Sequence, residues 1–194
     1  TTAITEDLPE LRADFLSSHP NLDIDLQELP SARITHALRQ GAADLGIVSD
    51  AVDTDDLQTQ AFRDDPLVLI MPREHPLAHA TSVSFTDTLH HDYVGLNANS
   101  ALAVYLEEQA LHAGLRMQIR IRADGFDGVM RMVAHGAGLA IVPLAAVERS
   151  SGALSLKSLA LQEPWAQRQL LLCARDFTAL PGYAKALLHA LTLP

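Results

Sequence analysis

The feature that most constrains the fold is the alternation of short apolar runs with amphipathic segments along the 194 residues. The apolar runs, such as Leu67–Met71 and Leu170–Ala174, have the length of strands. Between them, segments such as Ser100–His112 repeat apolar residues at the spacing of a helix. Strands separated by helices form parallel βαβ units, so the sequence predicts an α/β fold. No run approaches the ~20 apolar residues that cross a bilayer.

The first part of the chain predicts a helix, a strand, a helix and two strands. Their predicted positions are Ile4–Phe15, Leu22–Leu26, Ser31–Leu38 ended by Gly41, Asp44–Val48 and, after an acidic loop, Pro66–Met71. The second part repeats the pattern and leaves one strand and one helix over. Its predicted elements are Tyr93–Leu96, Ser100–His112, Met117–Ala123, Asp124–His135, Leu139–Val142, Gln169–Ala174 and Pro181–Leu191.

This repetition indicates two lobes, the second inserted into the first. We expect residues 1–72 with 169–194 to form lobe one and residues 73–168 to form lobe two. The chain would then pass from one lobe to the other twice, and these two crossings would form a hinge. Ligands of α/β proteins of this kind bind in the cleft between lobes, at the carboxyl ends of strands.

The charge of the chain argues against direct DNA binding. Its 24 acidic residues exceed its 14 lysines and arginines, giving a net charge of −10 that repels a phosphate backbone. Arg116, Arg120 and Arg122 alternate with apolar residues, which is typical of the solvent face of a strand. The single cysteine, Cys173, lies in an apolar run and is expected to be buried. With no export signal at its start, we expect a cytoplasmic protein.

Four stretches in order resemble the regulatory domain of LysR-type bacterial transcriptional regulators. They are Leu8–Leu11 through Phe15 to His19–Pro20, Leu38 with Gly41–Ile47, Leu67–Met71 with His75–Ala78, and Val133–Pro143. The resemblance implies two Rossmann-like lobes in the type 2 periplasmic-binding-protein architecture, with a hinge of two crossover strands. It further implies an effector-sensing domain that binds a small molecule between its lobes. The winged helix-turn-helix of that family, and a strand that directly precedes Thr1, lie outside this sequence.

The resemblance also nominates ligand-binding residues at helix starts and strand ends. In lobe one they are Thr1, Thr2, Pro30, Ser31, Val48 and Ser49, and in lobe two Leu96, Asn97, Ser100, Phe126, Gly138, Val142 and Pro143. Free N–H groups at a helix start, together with hydroxyls, bind anions without an arginine, and Arg33 is the nearest arginine to this set. We therefore expect a small organic anion as effector and no cofactor or metal. In the alternative interpretation Thr2, Ser31 and Ser100 only cap their helices, and Phe126 packs in a core.

Two other functions compete with this interpretation. His90-His91-Asp92 beside Ser82 and Ser84 contains the residue types of a catalytic triad, but no Gly-x-Ser-x-Gly turn accompanies it. His75, His79, His90 and His91 lack the spacing of a recognisable metal site, so we expect no enzyme. A periplasmic solute-binding protein of a transporter remains open, because it shares the two-lobed cleft. For a regulator, the resemblance implies a dimer or tetramer formed through helices 4–15 and 101–112, with DNA bound only by the absent helix-turn-helix.

Overall fold

The computed structural model describes Phe15, Ser17, His19, Pro20 and residues 22–150 and 154–192. Thr1, Thr2 and most of the predicted helix Ile4–Phe15 lie outside these residues. The chain divides into two compact units, residues 1–64 with 169–194 (unit 1) and residues 65–168 (unit 2). Within the described residues, no helix is long and apolar enough to span a membrane.

Unit 1 contains helices on a three-stranded antiparallel sheet in the order β1-β9-β2. Its described elements are α1 (Ser31–Gln40), β1 (Gly46–Ser49), β2 (Gln58–Asp64), β9 (Gln169–Ala174) and α6 (Gly182–Thr192). Gly41 ends α1 in the left-handed conformation, with φ of 70°, as glycine does at many helix ends. Cys173 is buried with Leu38 and Val48 between α1 and the sheet, as its apolar neighbours predict.

Unit 2 is larger and holds most of the buried apolar side chains of the described chain. Its elements are β3 (Leu67–Pro72), β4 (Ser82–Val83), α2 (Phe85–Thr88), β5 (Asp92–Leu96), α3 (Ala101–His112), β6 (Gln118–Ala123), α4 (Gly125–Ala134), β7 (Ala140–Pro143), α5 (Leu144–Arg149) and β8 (Leu156–Leu161). One sheet has the order β4-β8-β3-β7, and β5 pairs with β6 in parallel. A parallel bridge from Tyr93 to Leu139 joins β5 to the start of β7.

Strand β3 is buried along its length because it lies between β7 and β8 and under the helices. Its run Leu67–Met71 has no polar alternation, which is typical of a central strand covered on both faces. Helix α4 contributes Phe126, Val129, Met130 and Val133 to the same core. By contrast, β6 alternates exposed and half-buried residues, and Arg120 and Arg122 lie on its polar face as predicted.

The structure corrects three predictions about the fold. The first crossing lies between Asp64 and Asp65, not near residue 72, because β3 pairs only with strands of unit 2. The predicted strand Leu22–Leu26 does not form, since no described strand offers these residues a hydrogen-bonded partner. The unit 1 sheet is antiparallel and the four-stranded sheet of unit 2 is mixed, so the strands are not uniformly parallel, and β2 and β8 were not predicted.

Candidate functional site

In unit 1, the start of α1 and the end of β1 are joined by a side chain. The Ser49 N–H donates to Ser31 Oγ at 3.1 Å. Pro30 is the N-cap of α1 and provides no side-chain cap, so the first N–H groups of the helix, from Ser31 and Ala32, have no intrahelical acceptor. The Ser31 hydroxyl therefore orders the end of β1 and does not cap its own helix.

These groups lie at the edge of unit 1 where the chain crosses. Strands β1 and β9 are antiparallel with Ser49 opposite Leu170, and the Asp50 N–H donates to the Gln169 carbonyl at 2.9 Å. Gln169 is the first residue of unit 1 after the second crossing. The start of α1 and the end of β1 thus flank the returning strand.

In unit 2, the loop after β5 presents polar groups around the start of α3. Ser100 Oγ accepts the Ala103 N–H at 3.2 Å and is the N-cap of α3. The Asn97 carbonyl accepts the Ser100 N–H at 2.9 Å, and the Asn97 side chain donates to Asp124 Oδ1. Asp124 follows β6 and precedes α4, yet its side chain makes no capping bond to that helix. Since β5 and β6 are parallel, Asn97 and Asp124 meet at one edge of the sheet.

The edge of unit 2 that carries Asn97 and Asp124 is also the edge at which the chain passes between the two units. Strand β7 is parallel to β5 at the Tyr93–Leu139 bridge and ends at Pro143. The next N–H, of Leu144, donates to the Pro66 carbonyl at 2.9 Å, and Pro66 follows the first crossing directly. Each unit, taken alone, therefore carries polar groups and a helix start at its crossing edge.

The electrostatics of these edges are set by helix starts and by carboxylates, namely Asp124 in unit 2 and Asp50 in unit 1, which accepts the Ser49 hydroxyl at 3.3 Å. Arg122, next to the unit 2 group, is held by the Leu96 carbonyl at 3.1 Å and by Glu107 at 2.8 Å. Arg33 is exposed on α1. A ligand anion would thus be held by backbone N–H groups and hydroxyls, while the Asp124 carboxylate offers an acceptor to a ligand hydroxyl or amine.

The nominated residues separate into two groups in the structure. Pro30, Ser31, Ser49, Leu96, Asn97, Ser100 and Pro143 lie at the crossing edges, whereas the Val48, Phe126 and Val142 side chains are buried in the cores. Phe126 is 7% exposed, which corresponds to the core interpretation of that residue. Thr1 and Thr2 lie outside the described residues.

Gly138 is the nomination that the structure places elsewhere. A Cβ on this residue would lie 2.5 Å from the Asp92 carbonyl oxygen, at the amino end of β5. Asn97 lies at the opposite end of that strand. Gly138 therefore allows a close backbone approach between strands and does not join the edge group.

Asp124 was not nominated, although the sequence carries a signal for it. An aspartate at the junction of a strand and a helix is typical of an N-cap, so this position indicated a structural role for Asp124 and no reason to nominate it as a ligand contact. What the sequence does not give is the hydrogen bond to Asn97, because that contact depends on the parallel pairing of β5 with β6.

The residue types of a catalytic triad are not assembled in the described part of the chain. Ser84 Oγ donates to Glu163 at 2.9 Å, and Ser82 Oγ accepts from Gln162 at 3.2 Å. His91 instead lies in a group with His90 and His75, with ring centroids 4.1 and 5.1 Å apart. Across the described residues, no set of three or more His, Cys, Asp or Glu side chains has the geometry to hold a metal ion.

Burial lowers the pKa of His75, and burial together with the charges of His90 and His75 lowers that of His91. These rings lie beyond Pro72 and before Asp92, at the end of β3 and the start of β5. They are therefore at the edge of unit 2 opposite to the crossing, and separate from the Asn97 group.

This chain is similar to a known family and to solved regulatory domains. The family described as the LysR substrate binding domain matches residues 1–192. The regulatory domain of Synechocystis CcmR, solved with 2-PG, superposes with a TM-score of 0.77 at 22% identity and covers 99% of this chain and 92% of its own. The regulatory domain of MetR from N. meningitidis gives a TM-score of 0.80 at 18% identity, over 95% of this chain and 85% of its own.

Curated relatives extend beyond this domain. The regulators CysL and AlsR of Bacillus subtilis, both named HTH-type transcriptional regulators, are 25% and 26% identical over 70% and 75% of this chain. The match covers 45% and 49% of those proteins, so the chain spans about half the length of these relatives. Since they are transcriptional regulators, the comparisons do not favour a solute-binding protein of a transporter.

Proposed function

Because this chain belongs to the LysR substrate-binding domain family, we propose that it is the effector-sensing domain of a LysR-type transcriptional regulator. The observation that carries the proposal is the polar edge of each unit at its crossing, with Ser31 and Ser49 in one and Asn97, Ser100 and Asp124 in the other. DNA binding belongs to a helix-turn-helix outside this sequence, in agreement with the names of the relatives.

In this proposal the effector is held by polar groups at the crossing edge of each unit. The nominated contacts are the N–H groups at the starts of α1 and α3, the Ser100 hydroxyl, and the Asn97 amide, with Thr1 and Thr2 completing the unit 1 side as the family resemblance implies. A site of this kind, made of backbone donors at helix starts, needs no arginine.

We assign a small organic anion with at least one hydrogen-bond donor as the ligand class. The open N–H groups favour a carboxylate or phosphate, and the Asp124 carboxylate favours a hydroxyl or amine on the same ligand. Two similar structures contain bound small molecules, namely shikimate in QuiR (21% identity, TM-score 0.70) and 2-PG in CcmR. These ligands support the class, while the ligand of this chain is assigned from its own polar groups.

Sensing works by population shift in this account. An effector that contacts both units favours one angle between them, and only its difference in affinity between angles moves the equilibrium. The angle in turn sets the geometry of a cytoplasmic dimer or tetramer, for which residues 4–15 and helix α3 are the proposed contacts. The domain itself catalyses no reaction.

A thermal-shift screen tests the ligand assignment. The panel pairs small hydroxylated carboxylic acids with both their uncharged amides and their esters, so that the two neutral forms share the loss of charge but differ in size and in hydrogen-bond donors. At ~100 times its dissociation constant, a ligand adds about 2.7 kcal/mol to the free energy of unfolding, which raises the unfolding temperature. We expect at least one acid to act and its amide not to act. A panel in which neither form binds, or in which amides bind as well as acids, would contradict the proposal.

A further inference from the structure

The two chain crossings are joined by a buried ion pair at the boundary of unit 2. Asp65 and Arg168 are the first and last residues of that unit. Arg168 Nη2 contacts Asp65 Oδ2, and the two side chains are 1% and 9% exposed for Asp65 and Arg168 respectively. Arg168 Nε also donates to the Asp65 carbonyl at 3.1 Å, and the Asp65 N–H donates to the Arg168 carbonyl at 3.0 Å. One backbone–backbone bond, one side chain–backbone bond and the side-chain ion pair thus tie one crossing segment to the other.

The pairing continues on the unit 1 side of the same peptide bonds. Asp64 and Gln169 are opposite each other in the β2–β9 ladder, and Gln169 Nε2 donates to Asp64 Oδ1 at 2.8 Å. Both crossing strands are therefore hydrogen-bonded to each other immediately before and immediately after the chain passes between units. They do not form two independent linkers.

Burial distinguishes the Asp65–Arg168 pair from the more exposed Arg120–Asp92 and Arg122–Glu107 pairs of unit 2. The Arg120–Asp92 pair is 66% and 43% exposed, and solvent screening leaves such pairs little influence on stability. A buried pair is costly to desolvate and survives only with good geometry and further hydrogen bonds, which Arg168 provides through Nε. A change to either partner removes this buried pairing.

We propose that Asp65 and Arg168 form a clasp that makes the two crossings bend as one hinge. In this role both are positioning residues, since neither belongs to the ligand-binding group nominated above. The inference rests on the proposed function, because a hinge matters only if the angle between the units carries the effector signal. A clasped hinge restricts the free protein to few interunit angles, so that effector binding selects between them.

Distances between spin labels in the effector-free protein test the clasp. Labels are attached to His36→Cys in α1 and Arg131→Cys in α4, both exposed positions, and native Cys173 is buried. Labelled protein is diluted with unlabelled protein so that only distances within one chain are recorded. The variants are Asp65→Asn, which keeps the size of the side chain, and Arg168→Lys, which keeps the charge but loses the two-point contact. Arg120→Gln, at the exposed pair, is the matched control.

We expect Asp65→Asn and Arg168→Lys to broaden the distance distribution at least twofold, and Arg120→Gln to leave its width unchanged. Amide hydrogen exchange at Leu144, which donates to Pro66 inside unit 2, reports whether the variants keep that unit folded. An unchanged width in a folded clasp variant would overturn the proposal, as would equal broadening by Arg120→Gln. The experiment needs no effector, so its failure is distinct from a failed ligand screen.

Discussion

At the scale of single residues, Gly138 shows how one missing side chain permits a close backbone approach. Its φ of 151° is one that L side chains rarely adopt, and the Asp92 carbonyl oxygen would lie 2.5 Å from an added Cβ. We expect Gly138→Ala to lower the free energy of unfolding by about 1–3 kcal/mol, because the paired backbone of β5 must move. Urea unfolding measures the change.

Gly128→Ala is the matched control for that substitution. This glycine lies within α4, and its added Cβ would make ordinary contact with Ala123 Cβ at 3.4 Å. Alanine is favoured over glycine in a helix by about 1 kcal/mol, so this variant should be at least as stable as the parent. Equal losses in the two alanine variants would contradict the assignment of Gly138 to a close approach.

The histidine group predicts a pH dependence with a definite sign. Burial lowers the pKa of His75 and His91 in the folded protein, so below about pH 6.5 the unfolded chain binds protons more readily than the folded one. This difference in proton binding destabilises the folded state as the pH falls from about 6.5 through the lowered pKa values. Above about pH 6.5 the effect is absent. His91→Asn should therefore lose less stability than the parent between about pH 8 and about pH 5.5.

Urea unfolding at both pH values measures that difference. For each protein, the free energy of unfolding at the lower pH is compared with its own value at the higher pH. The packing cost of the substitution is present at both pH values and therefore cancels. A variant that loses as much stability as the parent on acidification would show that His91 is not protonated preferentially in the unfolded chain.

At the scale of elements, the start of α3 combines a structural role with the proposed ligand contact. Ser100 caps the helix through the Ala103 N–H, so Ser100→Ala should cost about 1 kcal/mol of stability. Ser100→Asp provides an equivalent cap and a charge that the helix dipole favours, so it should keep the stability of the parent.

The two substitutions then separate capping from binding. A carboxylate at residue 100 repels an anionic effector, so Ser100→Asp should weaken calorimetric binding of the organic acid at least tenfold while Ser100→Ala weakens it less. If Ser100→Asp is stable and binds the acid as the parent does, the start of α3 is not part of the ligand site.

The elements also show what the sequence could predict. Helices α1, α3, α4 and α6 and strands β3, β5, β6, β7 and β9 match their predicted positions to within two residues, because periodicity and capping are local signals. Strand β2 was not predicted, since Gln58–Asp64 is mostly exposed and polar and is ordered by its pairing with β9. Leu22–Leu26 has the alternation of a strand but no ladder partner among the described residues.

The residues of the candidate site likewise divide into those with a local sequence signal and those whose contacts depend on the fold. Ser31, Asn97 and Ser100 could be nominated because helix starts and strand ends are visible in the sequence. The Asn97–Asp124 contact and the Asp65–Arg168 pair could not be predicted, because each joins segments that are distant in the chain and depends on the sheet topology. Gly138 lies at the amino end of β5, away from Asn97, and the sequence could not show this because a glycine in a tight turn does not reveal which end of the sheet it occupies.

At the scale of the whole molecule, the chain leaves unit 1 at Asp64 and returns at Gln169, so the second unit is an insertion with its own core. Burial of Leu67–Met71 places β3 in that core, which is why the crossing precedes this strand. A strand that is apolar on both faces belongs with the unit that can cover both faces.

The most direct test of sensing is small-angle X-ray scattering, coupled to size exclusion, on the full-length regulator with and without the organic acid found in the screen. We expect saturating acid to change the scattering profile or the oligomeric state, and its uncharged amide to change neither. Calorimetry under the same conditions establishes saturation. An acid that binds stoichiometrically while profile and oligomeric state stay the same would contradict the claim that this domain converts binding into a change of geometry.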